Sequence, residues 1–282
     1  MTTVWRRFSA RQAGADEPEA LYEGVPDHLD PFFRDWIVSA LRRAELESTL
    51  ALQLRLPSAF TLDRRGVAQA LASAADADLL LDAIDATLFL LPKSQTLGFA
   101  YGRLLNELET ILTDGGSALR IADDRRSLER RVDGTVREAV LVAQRSAASA
   151  PAGSASEHLR EAWQAVYGRS PNPPAAYSLA IKAVEAAAHA VLEPNNARST
   201  LGTMIRNLRD APQNFRVAID GSSGGDPGAV LGMLQMLWQG QTSRHGGQAP
   251  TRPETQEAAE MAVHLAAALV QWFTAGAVTR RT

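Results

Sequence analysis

Residues 228–247 read GAVLGMLQMLWQGQTSRHGG, an apolar run that ends in a polar, glycine-rich corner. The run has the composition of a buried helix, and a second helix-periodic stretch, residues 254–274, follows after a segment rich in glycine and proline. Two such helices joined by a corner predict a helical bundle. Arg244 and His245 would then lie at a helix-to-loop junction, where backbone donors are free to meet a ligand.

Length and composition indicate an ordinary globular protein. The chain has 282 residues, 45% hydrophobic and 22% charged, which suits two domains of roughly 100–150 residues. A net charge of −3 gives no global basic field of the kind that favours nucleic acid. The lack of cysteine excludes disulfides, thiolate metal sites and cysteine nucleophiles. We find no signal peptide and no uninterrupted apolar stretch long enough to span a bilayer, so we expect a cytoplasmic protein without membrane contact.

The first part of the chain, residues 1–150, predicts a small helical domain. After an irregular start to about residue 27, helical periodicity recurs in stretches that open near Asp30, at Thr61 or Asp63, after Ala75 and near Gly98. These stretches end at Pro57, Ala74, Pro92 and Thr113. The first is expected to bury Phe32 and Phe33, among others.

Only one stretch of this domain favours strands. Apolar and polar residues alternate around Leu119 and Ile121, which predicts a short β-hairpin of residues 118–121 with 128–132. A helix of residues 134–146 closes the domain. The stretch SAASAPAGSAS, residues 146–156, then predicts a flexible linker and a domain boundary near Ala150. The alternative is a helix end and a loop inside one domain.

The second part, residues 151–282, predicts a bundle of four main helices and a leading one, so the whole chain is expected to be all-α. Prolines and capping residues separate the helices, with Ser199 and Asp226 as two of the expected N-caps. The predicted helices are residues 157–168, 173–192, 200–210, 227–240 and 254–274.

Arg244 and His245 are the strongest candidates for chemistry. Histidine can accept and donate a proton near neutral pH, and arginine presents a cationic fork that matches phosphate oxygens. Gly246 and Gly247 let a backbone approach closely and leave N–H groups open to an anion. The alternative is an ordinary polar loop whose histidine caps the preceding helix.

Two further groups repeat one spacing on long helices: Lys182, Glu185 and His189, and Glu257, Glu260 and His264. Each trio would lie on one helix face and could line a polar seam of the bundle. Solvated charges and a satisfied histidine explain such trios more often than a metal does, so we predict no metal and no cofactor.

Several arginines form local basic clusters. Arg206 and Asn207, near the end of a predicted helix, could contact phosphate, although an arginine there also complements the helix dipole. The stretch RRSLERR, residues 125–131, is a basic patch for which a solvated face is favoured over RNA binding.

Three motifs in order carry a family resemblance: AIKAVEAAAHAVL, TLGTMIRNL, and the apolar helix that leads into RHGG before a last helix. In this order they resemble the abortive-infection C-terminal domain, a branch of the HEPN helical bundles of bacterial antiphage and toxin proteins. The segments FSARQAG and VPDHLDPFFRDWI resemble the small N-terminal domain often joined to it. The resemblance covers most of the chain.

The resemblance implies a homodimer that acts on RNA, because many HEPN domains are metal-independent ribonucleases with a composite site at the dimer interface. His245 and Gly246 match the histidine end of the HEPN motif. Its arginine end would fall on Trp238, Gln239 or Gly240, none of which is basic. Arg244 is adjacent to the histidine instead.

The resemblance therefore implies an antiphage defence or toxin protein that cleaves RNA, triggered by a phage or host protein. Arg244 and His245 would perform catalysis with Lys182 and Glu185 orienting them. The expected ligand contacts are Gln239, Gln241, Ser243, Gly246, Arg206 and Asn207. The alternative is a non-catalytic regulatory or assembly module that binds a nucleotide or a protein at the same corner. A third interpretation is a phage accessory protein with a structural role.

Overall fold

The computed structural model describes residues 20–151, 153–219, 225–244 and 252–281, with only the backbone for Arg244. Over these residues the all-α prediction is confirmed: the structure has twelve α-helices and four three-residue strands. The helices are α1 (Asp30–Ala44), α2 (Glu47–Gln53), α3 (Ser58–Thr61), α4 (Val67–Ala74), α5 (Ala77–Leu90), α6 (Ala100–Asp114), α7 (Gly134–Ser149), α8 (Ala155–Tyr167), α9 (Pro173–Leu192), α10 (Leu201–Asp210), α11 (Gly228–Gln239) and α12 (Gln256–Thr274).

The strands form two small sheets. The predicted hairpin is present as β1 (Leu119–Ile121) and β2 (Leu128–Arg130). A second pair was not predicted: β3 (Phe215–Val217) runs antiparallel to β4 (Val278–Arg280), with Phe215 opposite Arg280. Three residues are too few for an alternating pattern to stand out, and the partner strand lies at the far end of the chain.

The chain divides into two compact units, residues 1–128 and 129–282. In the first unit α1 packs against α4, α5 and α6. Phe33 and Trp36 are fully buried there, and the indole N–H of Trp36 donates to the carbonyl of Leu104 at 2.8 Å. That bond satisfies the one polar atom of a buried tryptophan.

Helix boundaries in the first unit differ from the predicted ones. The first helix does not run to Pro57, because Glu45 adopts a left-handed conformation with φ 55° and ends α1. Phe32 is 57% exposed rather than buried. The next long helix begins after Gly66, not at Thr61 or Asp63; with φ 94° this position suits glycine, and Glu47 accepts the Ala68 N–H just beyond it.

The boundary between the units lies before α7, whereas the sequence predicted it near Ala150. Residues 146–156 are mostly helical, since α7 runs to Ser149 and α8 starts at Ala155. α7 packs against α8 and α12 and buries Val140 in their shared core. The stretch rich in alanine and serine is therefore a helix end and a short connection within the second unit.

Helix α9 is at the centre of the second unit and packs against α8, α10 and α12. Of the described helices, it alone has the length and composition to cross a membrane, and 50% of that window is buried. Its buried side chains, among them Tyr177, Ile181 and Val184, belong to the core of this unit.

Two helices in the second unit are capped by the residue that follows the expected N-cap, and the last helix starts later than predicted. Thr200, not Ser199, caps α10 in a reciprocal capping box with Thr203. Pro227 is the N-cap of α11, and Asp226 accepts the Gly228 N–H beside it. Thr255 caps α12, so Glu254 lies just before the helix.

Candidate functional site

The corner of residues 238–247 begins where α11 meets the core. Trp238 packs so closely on α10 that a Cβ at Gly202 would lie 2.8 Å from its ring. A Cβ at Gly240 would lie 2.1 Å from the hydroxyl of Tyr177 on α9. The end of α11 thus packs against α10 and α9, and at each contact a glycine leaves the space for the neighbouring ring. This packing fixes where the corner starts.

The corner continues as a 3-10 turn, Thr242–Arg244, whose base is tied to the approach to α12. The Ser243 N–H donates to Oε1 of Glu254 at 2.9 Å, and the Thr242 hydroxyl donates to the carbonyl of Arg252 at 2.6 Å. These bonds join the chain entering the corner to the chain leaving it. Arg244 therefore follows an anchored residue.

Glu254 is 6% exposed, the most unusual environment at this corner. Desolvation raises the pKa of a buried carboxyl, but hydrogen bonds from Ser243 and the backbone of Thr242 outweigh it and hold the pKa of Glu254 below its ordinary value. Burial raises the pKa of the Tyr177 hydroxyl, and the charge of Glu254 adds to that shift. Glu254 is thus a buried, ionised anchor, and Tyr177 is a neutral neighbour.

The predicted centre of the site lies largely outside the described residues. His245 and Gly246 belong to the undescribed range, and Arg244 is placed by its backbone alone. Of the predicted ligand contacts at the corner, Gln239 and Ser243 are exposed and Gln241 is half-buried.

Lys182 and Glu185 lie on α9, C-terminal to Tyr177, the residue of this helix that contacts the corner. Oε1 of Glu185 accepts the N–H of Leu201 at 2.6 Å, so this carboxylate caps the first turn of α10. Burial raises the pKa of Glu185, while the bond from Leu201 and the charge of Lys182 lower it in part. Glu185 follows Tyr177 by about 12 Å along the helix. Within the described residues, Tyr177 rather than Glu185 contacts the corner, and Lys182 is exposed.

The remaining candidates lie on α10. Arg206 is exposed, and the amide of Asn207 donates to the carbonyl of Leu192 at 2.7 Å. Asn207 thereby closes the C-terminal end of α9, where a carbonyl lacks its helical partner. Arg206 remains accessible to an anion.

The trio on α12 does not converge on one point. Nε2 of His264 lies 2.9 Å from the hydroxyl of Tyr167, and Glu260 accepts a bond from Gln256. Burial lowers the pKa of His264, and the charge of Glu260 offsets part of that shift. Glu257 is exposed near the start of the helix. Across the ranges that the structure describes, no group of three acidic or histidine side chains is arranged to hold a metal ion.

Comparison of the chain with protein-family models, with curated proteins and with solved structures gives no match. The family resemblance of the quoted motifs accordingly stays a prediction.

Sequence reasoning missed two residues of the corner. Neither Tyr177 nor Glu254 was among the predicted site residues, and Glu254 was expected only as the first residue of the last helix. Tyr177 contacts Gly240 from a different part of the chain, and Glu254 binds Ser243 across the corner, so local pattern reveals neither role. The one available hint was an acidic residue directly before an N-cap threonine.

Proposed function

We propose that this chain is an abortive-infection-type defence protein that binds RNA at the 238–247 corner and cleaves it without a metal ion. We further propose that it acts in the cytoplasm as a homodimer and responds to a phage or host protein. The observation that carries the proposal is the anchored turn: Glu254 fixes Ser243, and the next two residues are Arg244 and His245. A fixed base reduces the entropy lost when these two side chains contact a phosphate.

The chemistry follows from the two side chains. His245 removes the proton from a ribose 2′-hydroxyl, whose oxygen attacks the adjacent phosphorus as the bond to the 5′-oxygen breaks. A proton from the partner's His245 completes the 5′-hydroxyl, and the other product ends in a 2′,3′-cyclic phosphate. Arg244 stabilises the charge that develops on the phosphorane oxygens. A dimer thus supplies one base and one acid at one cleft.

The test is metal-independent RNA cleavage by the full chain. A labelled single-stranded RNA is incubated with the protein in excess EDTA, and the products are separated on a gel. We expect cleavage by the wild type and loss of about 10²-fold or more in His245→Ala, the range for a lost general base. His28→Ala, which alters a histidine of the first unit, is the matched control and should retain full activity. Intact RNA at high wild-type concentration would end the enzyme hypothesis.

A second candidate function is a non-catalytic module that binds a nucleotide or a protein at the corner. The observation in its favour is that no basic residue stands at the three positions where HEPN nucleases carry arginine. Trp238 and Gly240 are packed against neighbouring helices, and Gln239 is uncharged. This function predicts no turnover but protection of residues 243–247 from hydrogen exchange when the ligand is bound.

The dimer can be tested by itself. Sedimentation of the full chain across a range of concentrations should give twice the monomer mass at those concentrations that support cleavage. A protein that cleaves RNA while it sediments as a monomer would contradict the shared site.

A further inference from the structure

The first unit carries an aromatic and basic surface beside the β1–β2 turn. Phe89, near the end of α5, is 40% exposed. Nζ of Lys93 lies 4.4 Å from the centre of its ring, and Cζ of Arg126 lies 5.0 Å from it. Arg125 precedes Arg126 in the turn and is exposed. We call Phe89, Lys93, Arg125 and Arg126 the turn surface.

The turn holds its two arginines in a fixed geometry. The Arg125 N–H donates to the carbonyl of Ala122 at 2.9 Å, and the Arg126 N–H donates to the carboxylate of Asp124 at 2.9 Å. Arg125 has φ 59°, in the left-handed region that costs a residue other than glycine about 1–2 kcal/mol. Arginine gives no conformational advantage over glycine or asparagine at this position, so its presence requires another explanation.

Beside the turn lies a polar cleft of about 280 Å³ between the hairpin and α6. Arg120 and Arg125 line it together with the acidic residues Glu109 and Asp123, and Arg120 pairs with Asp123 at 3.4 Å. Among the described residues, neither Arg125 nor Arg126 has an ion-pair partner, and the guanidinium of Arg126 lies over the Phe89 ring. Guanidinium groups without an ion-pair partner beside an open cleft keep their N–H donors for phosphate oxygens.

We infer that the first unit binds single-stranded nucleic acid on the turn surface, where a base replaces Arg126 over the Phe89 ring and the released Arg126 binds phosphate together with Arg125. Stacking on an exposed aromatic ring and cations that follow the backbone are how proteins hold single strands without reading sequence. An aromatic ring alone would not specify this ligand, and neither would a basic patch. Their combination at one fixed turn does. The inference rests on the proposed function for its choice of RNA, since it assigns capture of the substrate to the first unit.

The test measures binding, not cleavage. All proteins carry His245→Ala so that RNA is not consumed, and a fluorescein-labelled oligouridylate reports binding through anisotropy at low salt. Phe89→Leu keeps an apolar side chain but removes the ring, and we expect about tenfold weaker binding. Arg125→Ala with Arg126→Ala should lower the slope of log K against log salt by about 1.4, the value for two phosphate contacts on a single strand.

Two control variants match these changes. Phe99→Leu alters an aromatic residue that is 102% exposed, and Arg42→Ala removes an exposed cation of α1. Neither should weaken binding more than twofold. Thermal unfolding of every variant separates loss of binding from loss of folding. Equal losses in the Phe89 and Phe99 variants, or no binding by the parent protein, would overturn the inference.

The outcomes also separate this inference from the proposed function. If the wild type cleaves RNA but the Phe89 and arginine variants bind it as tightly as their parent, only the inference about the turn surface is overturned. Normal binding without any cleavage by the wild type overturns the ribonuclease alone. Binding of an oligothymidylate of equal length shows which groups are recognised. If it binds as tightly as the RNA, the contacts are to bases and phosphates. If the RNA binds more tightly, the protein also contacts the 2′-hydroxyl.

Discussion

Gly240 is the residue at which the corner is fitted to the core. The Tyr177 hydroxyl lies so close to Gly240 that no space is left for a methyl group at this position. Glu254, buried and hydrogen-bonded, then fixes the turn that follows. A glycine, a tyrosine and a glutamate thus fix the turn as far as Ser243, the residue directly before Arg244 and His245 in the sequence.

Gly240→Ala should destabilise the protein. The new Cβ would lie 2.1 Å from the Tyr177 hydroxyl and 3.1 Å from the carbonyl of Met236, so the tyrosine or the end of α11 must move. We expect the free energy of unfolding in urea to fall by about 1–3 kcal/mol. In Gly232→Ala, a control in the same helix, the new Cβ would meet no atom within 4 Å. This variant should stabilise the protein by about 0.5–1 kcal/mol. Similar losses in both variants would contradict the close approach.

Glu254→Gln should destabilise the protein in a pH-dependent way. Because the pKa of Glu254 is depressed in the fold, its stabilisation is present above the unfolded pKa, about 4.3, and is lost as pH falls through the lower folded pKa. We expect the variant to lose about 1–3 kcal/mol at pH 7 and to approach the wild type near pH 3, as measured by urea unfolding. Glu107→Gln, at an exposed position of α6, is the control and should cost little at either pH.

At the scale of the element, the start of α10 shows how a neighbouring helix supplies a cap. Thr200 accepts the N–H of Thr203, and Glu185 from α9 accepts the N–H of Leu201. Helices leave their first N–H groups without internal partners, so both bonds stabilise this ten-residue helix. The cap explains the position of Glu185 without reference to catalysis.

Two substitutions of Glu185 separate capping from catalysis. Glu185→Ala removes the acceptor of the Leu201 N–H and should cost about 1–3 kcal/mol in unfolding free energy. Glu185→Gln keeps an acceptor and removes a desolvated charge. Because the pKa of Glu185 is raised, wild-type stability declines as pH rises through the folded pKa, so the glutamine variant should equal or exceed the wild type at pH 7. Lost cleavage by a stable glutamine variant would support an orienting role for Glu185.

At the scale of the whole molecule, α7 decides where the second unit begins. It packs on α8 and α12 and buries Val140, Ala143 and Ala147. A fragment of residues 129–282 contains this helix, whereas one of residues 151–282 leaves the faces that it covers open to water. The two fragments therefore distinguish the observed division from the predicted boundary near Ala150.

We expect the longer fragment to unfold cooperatively in urea and the shorter one to be less stable by roughly 3–5 kcal/mol. Circular dichroism at 222 nm follows the transition, and binding of a hydrophobic dye reports exposed core. Equal stability of the two fragments would show that α7 is not part of the second unit.

Much of the helical architecture follows from local pattern. Leu80, Ile84, Leu88 and Leu91 recur at helical spacing, and all four are buried. The same periodicity cannot say where one helix gives way to the next, since Glu45 ends α1 without a proline or glycine. It also placed Phe32 inside, although Phe33 and Trp36 occupy the core and Phe32 does not.

A periodic row of leucines and a glycine-rich corner are local features that can be recognised in the sequence. The helices and the all-α class could therefore be predicted, and the corner could be selected as a candidate site. The pairing of β3 with β4, the place of α7 in the second unit, and the use of Tyr177 and Glu254 at the corner depended on the tertiary structure. Each depends on groups that the fold brings together from different elements, and the free energy of such a contact comes from its partner and its burial, which local sequence does not encode.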